Sequence, residues 1–187
     1  MSIAGEIRRA MERARMRRES SDLVDGAVVS LVGTVSPIGA PLVGPVSGKP
    51  CVAFTAQARV FVRGNYRRKR QFAGKHVEVK AVPFELVATS ARVVIDPTFH
   101  QLMVSLSPSI PQSLEREQAW LAGAAIAHAV DWSCEEACIE PGARIVVRGI
   151  AQRELDDAAT GEIGFRESPT RFRIIGDPHR PVLIDRA

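Results

Sequence analysis

The stretch Cys51-Val52-Ala53-Phe54-Thr55-Ala56-Gln57-Ala58-Arg59-Val60-Phe61-Val62 decides the fold class. Val52, Phe54, Ala56, Ala58, Val60 and Val62 recur at every second position, so an extended backbone places all six on one face. That period predicts a strand with one buried side. Before it, residues 36–50 hold Pro37, Gly39, Pro41, Gly44, Pro45, Gly48 and Pro50, which reads as a wide bend. Residues 27–35 are rich in β-branched side chains and read as an earlier strand. After it, Gly64-Asn65 supplies turn residues, so Arg67-Arg68-Lys69-Arg70 falls on or beside a hairpin tip.

Further strands are predicted over 76–81, 83–89, 91–95, 102–106, 145–153, 172–175 and 182–184, with a Pro/Ser loop at 107–111 and a polar loop at 156–164. One helix is predicted from Ser113 to about Gly123, with Glu115 and Glu117 in its first turn, where they suit the helix dipole. Residues 124–139 are compatible with helix or strand. Residues 2–19 space Ile3, Ile7, Met11 and Ala14 as a thin apolar stripe among arginines, a basic amphipathic helix. The expected organisation is a basic helix and linker over 1–25, followed by one domain over 26–187. That domain is expected to be mainly β: a small barrel of about eight to ten short strands with one inserted helix.

Composition narrows the function classes. The chain has 187 residues, 45% hydrophobic and 25% charged, which suits a globular fold. Aromatic residues are only 5%, which argues against an extensive base-stacking surface. No apolar run is long enough to span a bilayer and no apolar leader opens the chain, so a cytoplasmic protein is expected. Three cysteines, Cys51, Cys134 and Cys138, are read as reduced thiols. The net charge of +4 is unevenly spread. Residues 1–18 carry six arginines against two glutamates, residues 63–75 carry six cations and no acid, and the remainder is net acidic. Concentrated cations of this kind attract phosphate or acidic partners.

Several motifs fail on chemistry. Gly44-Pro45-Val46-Ser47-Gly48-Lys49-Pro50 resembles a phosphate loop, yet it has one residue too few between its glycines. Pro50 also stands where a magnesium-binding hydroxyl is needed, and a strand follows instead of a helix. Ser47 is not centred between glycines as a nucleophile elbow requires. Cys134 and Cys138, with His128 nearby, fall short of four zinc ligands and are read as small buried thiols. His76, His100, His128 and His179 are scattered. Asp96, before Pro97, is read as a turn cap. Asp131, Glu135 and His128 form a polar set with no assigned chemistry. No catalytic residue, metal or cofactor is expected.

A set of short motifs points further. Gly33-Thr34-Val35 leads through the bend to Pro41-Leu42, Pro45 and Ser47-Gly48-Lys49-Pro50-Cys51. Pro83-Phe84-Glu85-Leu86 and 91–97, ending in Asp96-Pro97, come later. Glu135-Glu136 and 139–149, with Pro141, Gly142 and Gly149, follow. In order and spacing this resembles the GIDE-type domain, also called the "beside a membrane" domain, over roughly residues 26–185. Ala91 stands where the second element usually has Gly. The resemblance implies an OB-like barrel acting as a non-catalytic protein-interaction module, with Pro41, Ser47, Gly48, Pro50, Cys51, Phe84, Asp96, Pro97, Pro141, Gly142 and Gly149 in structural roles. Ubiquitin ligase members of the family carry a RING and flanking membrane spans. Three cysteines are too few for a RING, so ligase activity is not expected.

An unidentified protein is therefore the first expected partner, engaged as an adaptor or scaffold would engage it. The alternative is nucleic acid, bound by the basic hairpin through Arg63, Tyr66, Arg67, Arg68, Lys69, Arg70 and Lys75, where cations and aromatics interleave. A third reading is peripheral contact with an anionic membrane through residues 8–18 and 63–75.

Overall fold

The computed structural model describes residues 23–63, 70–89, 91–108, 114–124, 131–155 and 170–187, together with Ala10, Met11 and Ala14. Those three have helical backbone and are exposed, and the rest of the helix expected over 2–19 lies outside the described residues. The strands in chain order are β1 (Val28–Pro37), β2 (Leu42–Val43), β3 (Pro50–Cys51), β4 (Ala53–Arg63), β5 (Arg70–Ala81), β6 (Phe84–Ala88) and β7 (Arg92–Ile95). They continue as β8 (His100–Leu102), β9 (Ser107–Pro108), β10 (Asp131–Ile139), β11 (Arg144–Leu155), β12 (Thr170–Ile175) and β13 (Val182–Arg186). One helix, α1 (Leu114–Gly123), lies between β9 and β10. The chain divides into two compact units, one built from residues 1–40, 82–104 and 141–187, the other from 41–81 and 105–140. The strands expected in one barrel are thus shared between two units.

The first unit contains a closed barrel. β1 pairs antiparallel with β6, β6 antiparallel with β7, β7 parallel with β12, β12 antiparallel with β11, and β11 antiparallel with β1 again. Counted along the chain, these five strands close in the order 1-2-3-5-4, as an OB-like barrel does. Closure leaves these strands no open edge. β13 adds to β11, and β8 adds in parallel to β13. The alternation in the sequence fills the interior: Val29, Leu31, Phe84, Leu86, Val93, Ile95, Ile145, Val147, Ile174 and Ile184 are all buried. Each such side chain contributes roughly 1.5–3 kcal/mol on leaving water.

Gly149 lies where the neighbour of β11 changes from β13, at Arg148↔Leu183, to β12, at Ile150↔Ile175. A Cβ there would stand 2.5 Å from Ile174 Cγ2 and 2.8 Å from the Ile175 carbonyl oxygen, so only glycine admits this approach. Pro141-Gly142 makes the expected turn into β11. Gly142 has φ 79° and donates its N–H to the Val35 carbonyl at 2.9 Å.

The second unit is a four-stranded sheet ordered β5-β4-β10-β9, with a β2-β3 ribbon. Residues 131–139, compatible with helix or strand by sequence, form β10 in the sheet interior. α1 occupies the predicted helical segment. It buries Leu121 among Val46, Cys51, Phe54, Ala56, Ala58, Cys134 and Cys138, with Leu42, Trp120 and Trp132 packed alongside. The strand expected over 102–106 is displaced. The observed strand is His100–Leu102, placed by its parallel partner β13, and Ser107–Pro108 of the expected loop pairs with β10. In both cases the partner strand overrides local propensity. No helix among the described residues is long and apolar enough to cross a membrane.

Candidate functional site: the β4–β5 ribbon

β4 and β5 form a long antiparallel ribbon running from Ala53↔Ala81 to Arg63↔Arg70. Arg70 therefore begins a strand, so part of the basic segment belongs to the ribbon itself. Tyr66, Arg67, Arg68 and Lys69, with the Gly64-Asn65 turn, lie outside the described residues. β5 is the edge of its sheet, and its outer side pairs with no strand among the described residues.

α1 decides which face of the ribbon is open. The Trp120 indole stacks at 5.1 Å from His76, and its Nε1 donates to Glu78 Oε2 at 2.6 Å. Trp132 Nε1 donates to Glu117 Oε2 at 2.9 Å, joining β10 to the helix. Lys80, followed by the Trp120 indole, holds the Glu78 carboxyl below its ordinary range against its partial burial. His76 and Glu78 thus face the helix. Their neighbours Lys75, Val77 and Val79 point the other way and are exposed.

On that open face Lys75 pairs directly with Arg59, and both are exposed. Neither makes an ion pair among the described residues. Two residues further along β4, Phe61 pairs with Phe72, ring to ring at 6.2 Å and 74°. This pairing follows from a bulge. Val60 pairs with Gly74 and Phe61 with Phe72, so Ala73 is the extra residue. Without it Phe61 would meet Ala73, and Phe72 would turn to the helix side. Phe72 is 57% exposed. Two residues beyond Phe61, Arg63 and Arg70 are again register partners. The register along the ribbon therefore runs Arg59–Lys75, Phe61–Phe72, Arg63–Arg70. Arg59 and Phe61 were missed by sequence reasoning, because Arg59 lies within the alternating strand pattern and only the pairing register sets it beside Lys75.

The remaining expected residues have structural places. The rejected phosphate loop does cradle an anion, but that anion is the protein's own. Glu136, 8% exposed, accepts the Val46 N–H at 2.9 Å and the Ser47 N–H at 3.0 Å. Ser47 Oγ accepts the Lys49 N–H at 3.2 Å, and Gly48 turns the loop with φ 72°. Pro41 precedes β2 and is exposed, and Pro50 opens β3. Cys51 is fully buried. Cys138 Sγ donates to Glu136 Oε2 at 3.3 Å. Its hydrogen bond with Cys51, together with burial and the Glu136 charge, pushes the Cys138 thiol up. Burial and Glu117 push Cys134 up to about 12. Both are inert thiols at neutral pH.

Phe84 is fully buried and Pro97 is buried. Asp96 caps its turn by accepting the Thr98 N–H at 2.9 Å and the Thr98 hydroxyl at 2.6 Å. It also meets Arg173 at 3.2 Å, and Arg173 in turn meets Glu154 at 2.8 Å. Partial burial raises the Asp96 carboxyl, but the Thr98 donors and Arg173 outweigh it and bring the carboxyl below its usual range. These residues line a cleft of about 340 Å³ on the barrel unit, with Phe99, Gln152, Ile175 and Gly176. Within it Asp96 and Glu154 are both paired to Arg173. Of the polar set, Glu135 lies 3.5 Å from Gln57 Nε2, and His128 lies outside the described residues. Among the described residues no group of three or more His, Cys, Asp or Glu could hold a metal ion. No protein-family model matches the chain, and no curated protein is similar to it in sequence.

Proposed function

We propose that this protein is a non-catalytic interaction module whose recognition element is the open face of the β4–β5 ribbon. The observation that carries this reading is the Arg59–Lys75 pair. Like charges directly opposite in a sheet destabilise it. Here both stand exposed beside an exposed aromatic ring, and neither forms an ion pair among the described residues, although Asp131 and Glu135 of β10 lie diagonal to Arg59 by register. A fold gains nothing from that arrangement, whereas an anionic partner would relieve it. The GIDE-type resemblance fits the same reading of a module without chemistry of its own.

A second reading, that the partner is a protein joined along a sheet edge, is supported by β5. It is a twelve-residue edge strand whose Val77 and Val79 are each nearly half exposed. An immobilised polyanion tests the main reading. The wild type should elute from heparin at higher salt than Arg59→Gln/Lys75→Gln. A charge-matched control, Arg92→Gln/Arg144→Gln, should elute with the wild type. Equal losses in both variants would reduce the effect to net charge and remove the ribbon from the function.

A further inference from the structure

We infer that the ribbon binds single-stranded nucleic acid, with an unpaired base on Phe72 and a backbone phosphate at the Arg59–Lys75 pair beside it; this rests on the ribbon being the recognition element. The argument is one of spacing and chemistry. Successive residues on one face of a strand are about 7 Å apart. Arg59 and Phe61 therefore lie one such step apart along β4, with Lys75 and Phe72 as their register partners on β5. The order along the ribbon is charge, then ring. A single strand of nucleic acid repeats the same order, phosphate then base, over a comparable reach.

The Phe61–Phe72 contact is edge to face, which holds the Phe72 ring at a fixed angle while leaving it 57% exposed. A ring presented in that way offers a π-face to a base and needs no particular base edge, so binding should tolerate sequence. Duplex bases are already stacked and cannot use it. An acidic peptide offers charges without a regular series of flat rings. An anionic membrane would meet the Arg59 and Lys75 cations here but has no flat ring to stack on Phe72.

The bulge supports the assignment. Ala73 is the residue that brings Phe72 onto the face of Lys75 and Arg59. Bulges commonly re-aim a side chain at a functional surface.

The test is fluorescence anisotropy with the whole chain and labelled oligothymidine or oligouridine of about 15 nucleotides. The same oligothymidine annealed to its complement, labelled polyglutamate and phosphatidylserine vesicles are run in parallel. The single strands should bind most tightly, with affinity falling as salt rises. Arg59→Gln/Lys75→Gln should flatten the slope of log affinity against log salt by about 0.7, one phosphate's worth for a single strand. Phe72→Leu keeps the apolar volume needed to fold. It should weaken single-strand binding by roughly 5- to 150-fold while leaving that slope unchanged. The melting temperature of each variant separates lost binding from lost folding.

Absence of single-strand binding at low salt overturns the inference. So does duplex, polyglutamate or vesicle binding that equals single-strand binding, and so does a Phe72→Leu variant that folds and binds like the wild type. If heparin retention still depends on Arg59 and Lys75 in any of those cases, the ribbon remains the recognition element and only its ligand is wrong. If heparin retention does not depend on them, the broader reading has failed as well.

Discussion

Arg59 on β4 and Lys75 on β5 face each other as direct partners on an exposed sheet surface, with no carboxylate among the described residues paired to either. Their repulsion is part of the folded state and is absent when the strands separate. Replacing either by Gln should therefore stabilise the protein, by about 0.2–1 kcal/mol. The gain should shrink as salt screens the charges. Urea denaturation of Arg59→Gln and Lys75→Gln at low and high ionic strength measures it. A loss of stability at low salt would mean that the two cations are compensated.

Glu136 holds the 44–50 loop through two backbone amides and also accepts from the Cys138 thiol. Glu136→Ala leaves the buried Val46 N–H without its acceptor, so a loss of about 2–4 kcal/mol is expected. The Lys49–Glu140 ion pair of 2.8 Å joins nearby segments but is exposed, and Glu140→Ala should cost no more than about 1 kcal/mol. Chemical denaturation of the two variants side by side gives the contrast. Equal effects would show that the loop does not depend on the buried carboxylate.

Gly149→Ala should destabilise the barrel by roughly 1–3 kcal/mol, because the new methyl group meets Ile174 and the Ile175 carbonyl with no room to move apart. Gly74 on β5 has open space around its Cα and no left-handed backbone. Gly74→Ala should be neutral or stabilise by up to about 1 kcal/mol, through a less flexible unfolded chain. Thermal melts of both variants decide the matter, and a tolerated Gly149→Ala would refute the close approach of β11 and β12.

His100 gives the barrel unit a pH dependence. Its Nδ1–H donates to the Pro97 carbonyl at 2.6 Å, and its Nε2 is buried without a hydrogen-bond partner. Burial of the ring lowers its pKa below the ordinary histidine value, although the carbonyl works in the opposite direction. The neutral ring is thus the form the fold prefers. Its contribution is complete above the unfolded value of about 6.5 and is lost as pH falls from there through the depressed folded value. The melting temperature should begin to fall as the pH drops through about 6.5, above the range where ordinary carboxylates titrate. His100→Gln should flatten that drop. An unchanged drop in the variant would assign it to another group.

Much of this was legible in the chain. Alternation over 52–60 reports the strand and its buried face, because period two is imposed by the pleat wherever one side meets a core. The turn at Pro141-Gly142 and the cap at Asp96 were legible too, since their geometry depends on neighbours one to three residues away. The open segment 124–139 shows where that ends. Local pattern could not choose between helix and strand there, and β10 exists because β4 and β9 flank it. The loop rejected as a phosphate cradle illustrates the same limit. Its sequence correctly lacks the phosphate-binding pattern, and nothing local announces that a glutamate some ninety residues away would occupy its amides.

By itself the sequence determined a mainly β chain, the turn at Pro141-Gly142, the cap at Asp96, a helix after residue 113 and the concentration of cations near 63–75. These follow from backbone sterics, short-range periodicity and composition. The turn expected at Gly64-Asn65 and the loop expected over 156–164 lie outside the described residues. Only the tertiary structure decided that five strands close into a barrel in the order 1-2-3-5-4. It also decided that residues 41–81 and 105–140 gather into a second unit, and that Arg59 stands beside Lys75 with Phe72 turned onto the same face. Strand pairing joins residues far apart in the chain, and a single extra residue, Ala73, resets which side chains meet.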